Sequence, residues 1–334
     1  MLFEGKNILV TGATGLIGYN LVCRLLNEGV STLYATGRSI KKLNSTFEDY
    51  SDKKNLVLLA HDAATSLPAE IKDIDYIFHA AGPMERDIVM NRPVDVILPN
   101  IIGSINCLEF LRKQEDETGK KGRMVMFSSV TVYDNPTKED YVAQEDVTNY
   151  AISLDAPTAC YAESKRMTEV IAKSYVRQYG IDAVIARFST VYGFTKNIPN
   201  TAFFEFINCA KNGQDIVLKG NGMPRRDNIY VEDAINGLLL IALKGTSGES
   251  YNVSTNGDKD NFAAVDEIAE QITEVTASLL GKPSINVIKP FHNEKRRPGL
   301  LLSNNKLKEL GWKIDTPHKD GIKKTIERII IAQK

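Results

Sequence analysis

The sequence is poor in cysteine, histidine and tryptophan, and this removes several kinds of site from consideration. Its 334 residues include four cysteines, four histidines and one tryptophan. The cysteines are scattered, with no Cys-x-x-Cys motif and no His/Cys ligand spacing, at Cys23, Cys107, Cys160 and Cys209. We therefore expect reduced thiols in a cytoplasmic protein, with no disulfide framework and no metal site.

Charge imbalance and long apolar runs are missing too. A formal net charge of −1 gives no indication of nucleic acid or an anionic membrane as a partner. No stretch reaches the roughly 18 continuous apolar residues that a membrane span needs. Residues 1–10 lack the basic start and long apolar core of a signal peptide. With 43% apolar residues, the chain can form one large α/β domain with a smaller lobe, or two domains.

Strand and helix patterns alternate through the first half of the chain. The strand patterns cover 7–11, 32–36, 56–60, 76–80, 123–128 and 182–188, and the helical patterns 16–27, 94–113 and 160–179. This alternation predicts an α/β fold, with a Rossmann-type parallel sheet, right-handed crossovers and helices on both faces. Such sheets bind ligands outside the carboxyl ends of their strands.

A glycine-rich loop, TGATGLIG at 11–18, joins the first strand to the first helix. Gly12 permits the tight turn, Gly15 lets backbone N–H groups approach a pyrophosphate, and Gly18 lets helix and strand pack closely. The helix N-terminus then faces the anion, although a purely structural glycine turn is the alternative. The cofactor contacts predicted here are Gly12, Thr14, Gly15, Leu16, Ile17 and Gly18.

The end of the second strand bears on the choice between NAD(H) and NADP(H). An acidic residue there would bind the ribose 2′-hydroxyl, but the sequence reads ATGRS at 35–39. Arg38 could bind a 2′-phosphate with two hydrogen bonds or lie on the adenine; a solvated surface arginine is the alternative. We expect NADP(H) or NAD(H), with Arg38 favouring NADP(H). Asp62 is expected either to bind the adenine amine or to cap a helix.

Tyr161 and Lys165 form a Tyr-x-x-x-Lys pair on one face of a predicted helix. The reference pKa of tyrosine, about 10, is too high for a base at neutral pH. A neighbouring ammonium and a cationic nicotinamide ring both favour the phenolate and lower that pKa. The pair therefore suits proton exchange with a sugar or alcohol hydroxyl.

Composition changes near Gly193, and the later residues differ in character. We predict an NAD(P)-binding Rossmann domain over 1–193 and a smaller, mainly nucleotide-sugar-binding C-terminal lobe over 194–334. A helical pattern at about 231–243 and a strand pattern at 250–254 indicate that 229–255 returns to the first domain. Two further helices are expected beyond it.

Taken in order, these motifs resemble those of the extended short-chain dehydrogenase/reductase family, in its nucleotide-sugar epimerase/dehydratase branch. The matching pieces are TGATGLIG at 11–18, HAAG at 79–82, FSSVTVY at 127–133, YAESK at 161–165, RFSTVYG at 187–193, RRDNIYVEDA at 225–234, YNVS at 251–254 and ELGW at 309–312. The resemblance implies oxidation of a sugar linked to a nucleoside diphosphate, usually at C4, by hydride transfer to a bound nicotinamide.

The resemblance also implies roles for single residues. Tyr161 matches the catalytic base, Lys165 the ligand of the nicotinamide ribose, and Ser129 the hydroxyl that holds the reacting oxygen. Arg226 and Arg297 match diphosphate contacts, since each guanidinium can bind two oxygens; solvated loop arginines are the alternative. Further implied contacts are Thr131 and Thr190 with the substrate, and Ala80, Ala81 and Gly82 with the cofactor.

Departures from the family pattern narrow the chemistry. Family 4,6-dehydratases carry an Asp-Glu pair directly after the catalytic hydroxyl residue, where this chain has Val130 and Thr131. Neither moves a proton as a carboxyl group does, and decarboxylating relatives usually have a Glu at the position of Thr131. Asp134 replaces a usual glycine and Thr190 a usual asparagine.

The expected function is therefore a nucleotide-sugar 4-epimerase, with an NADPH-dependent 4-ketosugar reductase or dehydrogenase as the alternative. A decarboxylase or 4,6-dehydratase is less favoured, and a non-catalytic nucleotide-binding scaffold least. Relatives pair through the helices corresponding to 94–113 and 160–179, which implies a homodimer. An apolar helix face buried within the monomer is the other interpretation.

Overall fold

The computed structural model describes residues 2–133, 141–146, 152–220, 225–289 and 299–332. Its strands are β1 Asn7–Thr11, β2 Thr32–Gly37, β3 Leu56–Ala60, β4 Tyr76–His79, β5 Arg123–Ser129, β6 Val142–Ala143, β7 Asp182–Phe188, β8 Thr190–Tyr192, β9 Ile216–Val217, β10 Arg225–Tyr230, β11 Ser250–Val253, β12 Phe262–Ala264, β13 Val287–Ile288 and β14 Leu301–Leu302. Its helices are α1 Leu16–Leu26, α2 Ile40–Thr46, α3 Arg86–Asn91, α4 Val94–Thr118, α5 Ala159–Tyr179, α6 Ala202–Asn212, α7 Val231–Lys244, α8 Val265–Leu280, α9 Asn305–Glu309 and α10 His318–Ala332.

The centre of the molecule is a seven-stranded sheet in the order β11-β7-β5-β4-β1-β2-β3, with every neighbouring pair parallel. Successive residues of a strand face opposite sides, so the sheet has a core on each face. In β1, Ile8 and Val10 join the core on one face, whereas Leu9 joins the core on the other. Helices α1 and α7 pack together, as do α4 and α5. The predicted Rossmann-type sheet is confirmed.

Helix α4 is long and apolar enough, by length and composition, to cross a membrane. Buried core helices pass the same test. One side of α4 carries Cys107, Leu108 and Leu111 into the core beneath the sheet. The helix also packs along α5, which carries the Tyr-x-x-x-Lys pair. Its apolar character is therefore partly explained by packing inside the protein.

The chain returns to the large sheet late, because β11 pairs with β7 in parallel. A smaller sheet has the order β12-β10-β8, and β9 pairs with β13 and β6 with β14. Beyond β11 the described chain has three helices, α8, α9 and α10, rather than the two that the sequence predicts. The short α9 escapes prediction because five residues are too few to show helical periodicity. The domain boundaries at 193 and 194 stay a prediction.

Candidate active site

The glycine loop is shaped by close approaches of backbone to backbone. Gly12 has φ +64°, and a Cβ there would lie 2.7 Å from the carbonyl oxygen of Ala80. A Cβ on Gly18 would collide with the carbonyl oxygen of Gly12, so α1 packs directly on the loop. Gly15 is the N-cap residue of α1, with no side-chain cap and no acidic residue in the first turn. These N–H groups, with the positive end of the helix dipole, fit a pyrophosphate.

A hydrogen-bond chain links the loops after β1 and β4. The Ala81 N–H donates to Thr11 Oγ1 (3.2 Å), which lies 2.8 Å from Nδ1 of His79. Nε2 of His79 lies 3.1 Å from the carbonyl oxygen of Pro99, and Cys107 Sγ lies 3.8 Å from Nδ1. Burial, with a smaller effect of the Lys165 charge, lowers the pKa of His79 to about 3. A neutral ring that donates from Nε2 and accepts at Nδ1 therefore positions Ala81, one of the predicted cofactor contacts.

Asn100 is a buried polar residue beside the catalytic candidates that the sequence analysis did not identify. Its Nδ2 donates to the Val96 carbonyl oxygen (2.9 Å) and to Ser164 Oγ (3.0 Å). Its Oδ1 is buried and has no hydrogen-bond partner within the described residues. A Cβ on Gly82 would collide with this oxygen and lie 3.5 Å from Nζ of Lys165. Gly82 is therefore packed closely against an acceptor without a described partner, with the candidate catalytic lysine beside it.

The structure brings Ser129, Tyr161 and Lys165 together. Burial raises the pKa of Tyr161, and a hydrogen bond with Ser129 lowers it. Lys165 Nζ lies 5.9 Å from the centroid of the Tyr161 ring and donates to the carbonyl oxygen of Phe127 at 2.7 Å. Burial lowers the pKa of Lys165 to about 8, against an opposing effect of Glu169. Burial therefore dominates the pKa of the tyrosine.

Arg38 and Asp62 stand at the ends of β2 and β3. Arg38 is exposed, and its guanidinium has no hydrogen bond or ion pair within the described residues. Asp62 is also exposed, and its Oδ1 accepts from the Ala64 N–H at 3.0 Å. Asp62 thus caps a turn at 62–65 rather than a helix. The Arg38 side chain is therefore unpaired at this edge of the sheet, whereas one carboxylate oxygen of Asp62 is held by the turn.

A second set of predicted residues, those expected to contact a substrate, lies in the turn after β5 and in β8 and β10. Thr131 donates its backbone N–H to Ser129 Oγ (3.2 Å), and its own hydroxyl is buried without a partner in the described chain. Thr190 is half-buried at the start of β8. Arg226 is exposed, and its backbone forms a parallel bridge with Leu300.

Of the two neighbouring arginines Arg225 and Arg226, the first has an ion-pair partner and the second has none among the described residues. Arg225 donates to Glu267 (3.3 Å) and lies 5.5 Å from the Phe262 ring. Arg226 has no side-chain partner among the described residues. Arg297 and Asp134 lie outside the described residues, but the bridge to Leu300 brings the chain that follows Arg297 next to Arg226.

No cluster of three or more His, Cys, Asp or Glu residues suited to a metal occurs in the described ranges.

Comparison with known proteins gives one consistent family. A family model described as "NAD dependent epimerase/dehydratase family" matches residues 8–254. The dTDP-D-glucose 4,6-dehydratase of Mus musculus is 26% identical over 96% of this chain and 88% of its own length. UDP-glucuronic acid decarboxylase 1 of Danio rerio is 27% identical over 97% of this chain and 72% of its own.

Solved structures share the fold. A UDP-glucose 4-epimerase from Thermotoga maritima, solved with UDP-glucose, has a TM-score of 0.78 and 24% identity, over 98% of this chain and all of its own. The enzyme WbmF of Bordetella bronchiseptica, solved with NADH, has a TM-score of 0.76 and 24% identity, over 99% of this chain and 95% of its own. The relatives therefore include dehydratases, decarboxylases and epimerases on one scaffold.

Proposed function

This chain belongs to the NAD-dependent epimerase/dehydratase family, and we propose that it is a nucleotide-sugar oxidoreductase acting at sugar C4, as a 4-epimerase. The observation that carries the proposal is the meeting of Ser129, Tyr161 and Lys165 beside a hydroxyl at Thr131 where dehydration would need a carboxyl group. That pattern supplies a base for an alcohol without a second acid to remove water.

The residues divide the work as follows. Tyr161 removes the proton from the C4 hydroxyl, and Ser129 holds the reacting oxygen by a hydrogen bond. Lys165 would hold the nicotinamide ribose, and its ammonium favours the tyrosine phenolate. The uncapped N-terminus of α1 and the glycine loop would hold the pyrophosphate. When bound, the nicotinamide supplies a hydride acceptor that can return the hydride to either face of the C4 ketone.

Elimination across C5–C6 needs a base for the C5 proton and an acid for the leaving hydroxyl. Val130 offers neither, and Thr131 is an alcohol whose hydroxyl has no described partner to lower its pKa. The relatives named as dehydratases and decarboxylases share the scaffold with this chain, but the residues at 130 and 131 argue against both reactions here.

Arg226 is proposed to bind the diphosphate, together with Arg297. Its guanidinium is exposed and unpaired in the described structure, whereas Arg225 is held by Glu267. A pyrophosphate suits two guanidiniums because each can donate two parallel hydrogen bonds. The substrate class is therefore a nucleoside-diphosphate sugar.

The test is turnover of UDP- and dTDP-linked hexoses and UDP-glucuronate in D₂O, with products identified by NMR. An epimerase yields the C4 epimer with no deuterium at C5 and no net use of NAD(P)H. A 4,6-dehydratase yields a 4-keto-6-deoxy sugar with deuterium at C5, and a decarboxylase yields a pentose. Tyr161→Phe should abolish turnover, with Tyr179→Phe at the exposed end of the same helix as control. Deuterium at C5, or full turnover by Tyr161→Phe, would overturn the proposal.

One observation favours a 4-ketosugar reductase as the second candidate. Arg38 is exposed and unpaired at the end of β2, where it can meet a 2′-phosphate, and an exchangeable NADPH suits net reduction. We therefore propose NADP(H) as cofactor, with NAD(H) as the alternative. Arg38→Ala should weaken NADPH binding about tenfold or more and leave NADH binding unchanged. Equal effects on both cofactors would remove this argument.

We also propose a homodimer, in the cytoplasm, formed through α4 and α5. Exposed apolar side chains lie at Val94, Leu98 and Ile102 of α4, and at Met167 and Val170 of α5. The spacings of four and three residues place each set on one helix face. Removing these faces from water favours association.

Sedimentation at micromolar concentration tests the dimer. Leu98→Glu and Val170→Glu should each shift the protein to monomer, because a charge would be buried in the interface. Ile331→Glu, at an exposed apolar position on α10, serves as control. A monomeric wild type, or dimers unaffected by both charges, would contradict the assignment.

A further inference from the structure

A buried ion pair lies one helical turn beyond Lys165. Glu169 and Arg187 are both almost fully buried. Arg187 Nε donates to Glu169 Oε1 at 2.9 Å, and Nη2 donates to Oε2 at 2.7 Å. This two-bond geometry is a strong arrangement of guanidinium and carboxylate.

The remaining donors of Arg187 join this pair to the segment 141–146. Nη1 donates to Tyr133 Oη (2.7 Å) and to the Glu145 carbonyl oxygen (3.0 Å). Tyr133 Oη in turn donates to Asn252 Oδ1 at 2.7 Å, and Asn252 donates its backbone N–H to Glu145 Oε1 at 2.9 Å. Every member has a partner, as a stable buried network requires.

The same network contacts the catalytic candidates through β5. Ser128 Oγ donates to Glu169 Oε1, while the neighbouring Phe127 carbonyl oxygen accepts from Lys165 Nζ. Lys165 and Glu169 are i and i+4 on α5, so their side chains share a helix face. Neither charge of the ion pair is used in the proposed reaction.

Resting on the proposed function, we propose that Glu169, fixed by Arg187, is a positioning residue that keeps the Lys165 ammonium charged and directed at the site of Tyr161. A buried lysine without a nearby anion tends to lose its proton, because burial disfavours the charged form. The ammonium is what favours the tyrosine phenolate. The ion pair therefore acts on the base through the lysine, without contact to the substrate.

Few titratable groups surround Lys165, so the sign of the effect is clear. On its own helix it faces Tyr161 and Glu169, from β4 it is influenced by His79, and β5 presents a carbonyl oxygen. From β7, the Arg187 guanidinium lies behind the Glu169 carboxylate and opposes part of its effect. His79 stays neutral at working pH because its pKa is lowered to about 3. Burial lowers the pKa of Lys165 to about 8 and Glu169 opposes this. Removing Glu169 must therefore lower the pKa of Lys165 further.

The test is an NMR titration of ¹³C-lysine-labelled, cofactor-free protein, with the Lys165 signal assigned by its loss in Lys165→Arg. In Glu169→Gln the Lys165 titration should move to lower pH than in the wild type. Glu163→Gln is the matched control, since Glu163 lies on the same helix and is 3.8 Å from Arg166. The Glu163→Gln variant should leave the titration of the Lys165 signal unchanged. The alkaline limb of turnover should move in the same direction as the titration.

Because Glu169→Gln leaves the Arg187 charge buried and unpaired, Glu169→Gln/Arg187→Met is the second variant. It should fold and show a fall in the Lys165 titration that is smaller than in Glu169→Gln, because the repelling charge of Arg187 is removed as well. An unchanged titration in either folded variant, or an equal shift in Glu163→Gln, would overturn the proposal. The titration needs no sugar substrate, so a wrong sugar assignment would leave this result intact. Conversely, a confirmed titration with no turnover would count against the proposed function alone.

Discussion

His79 should make the stability of the cofactor-free protein depend on pH below neutrality. The ring is buried between Thr11 and Pro99, with Cys107 beside it. Its pKa is lowered to about 3 from an ordinary value of 6.5. Between these two pH values the unfolded chain binds a proton at His79 and the folded chain does not. The contribution of His79 to the free energy of unfolding is therefore fully present above pH 6.5 and is lost as the pH drops toward 3.

The size of the loss follows from the two pKa values. At about pH 5, an unfolded histidine is almost fully protonated and the folded one almost fully neutral. The linkage relation then gives a loss of about 2 kcal/mol relative to neutral pH. A folded pKa one unit higher gives nearly the same figure, because it would still lie below pH 5. The prediction therefore depends on the His79 ring being neutral in the folded protein at pH 5, and only weakly on the size of its pKa shift.

The assay is urea unfolding of wild type and His79→Gln at about pH 7.5 and about pH 5, extrapolated to water. Fluorescence of Trp312, the single tryptophan, and far-UV circular dichroism should give coincident transitions. His79→Gln should be less stable at the higher pH, yet lose about 2 kcal/mol less than wild type on acidification. Buried His318 contributes equally to both proteins and cancels. Equal losses in the two proteins would refute the reasoning.

Two further predictions concern single glycine and arginine positions. Gly18→Ala should destabilise the protein by about 1–3 kcal/mol and weaken cofactor binding, because the new Cβ collides with the Gly12 carbonyl oxygen. Thermal melts and cofactor titrations measure the two effects. Gly220→Ala is the control and should change neither, because a Cβ there would have no atom within 4 Å. Arg226→Ala should weaken binding of a nucleoside diphosphate by about tenfold or more in calorimetry, whereas Arg225→Ala, which loses a Glu267 contact, should change affinity little. Equal losses for the two arginine variants would mean that the free side chain is not the ligand.

The buried strands were predictable because each is a short apolar run ending at turn residues. The predicted bounds of β1, β3 and β7 agree with the structure to the residue. Helix α4 extends five residues past its predicted end, since QEDET at 114–118 has no apolar periodicity; it ends at Gly119, which adopts φ +73°. Short helices such as α2 and α3 went unpredicted, because two turns or fewer show no repeating pattern.

The site was predictable where its residues lie within one element. Gly12 lies in the loop that leads directly into α1, where Gly18 lies, and Tyr161 and Lys165 share one helix, so spacing alone indicates their proximity. Asn100 could not be found this way, because it meets Ser164 across 64 positions of sequence. Contacts of that range are set by how α4 and α5 pack on the sheet, which no local pattern contains.

The late return of β11 has a consequence for the chain as it is synthesised. The outer edge of β7 is complete at Phe188, but its partner begins only at Ser250, so roughly 60 residues must follow before that edge is covered. An uncovered parallel edge offers free backbone groups to other chains. Once β11 has paired, the backbone N–H of Asn252 in β11 donates to the Glu145 side chain. One backbone donor of the new edge strand is then satisfied. Nascent chains that stall between these two strands should therefore be the aggregation-prone species, and pairing of β11 is the step that ends that exposure.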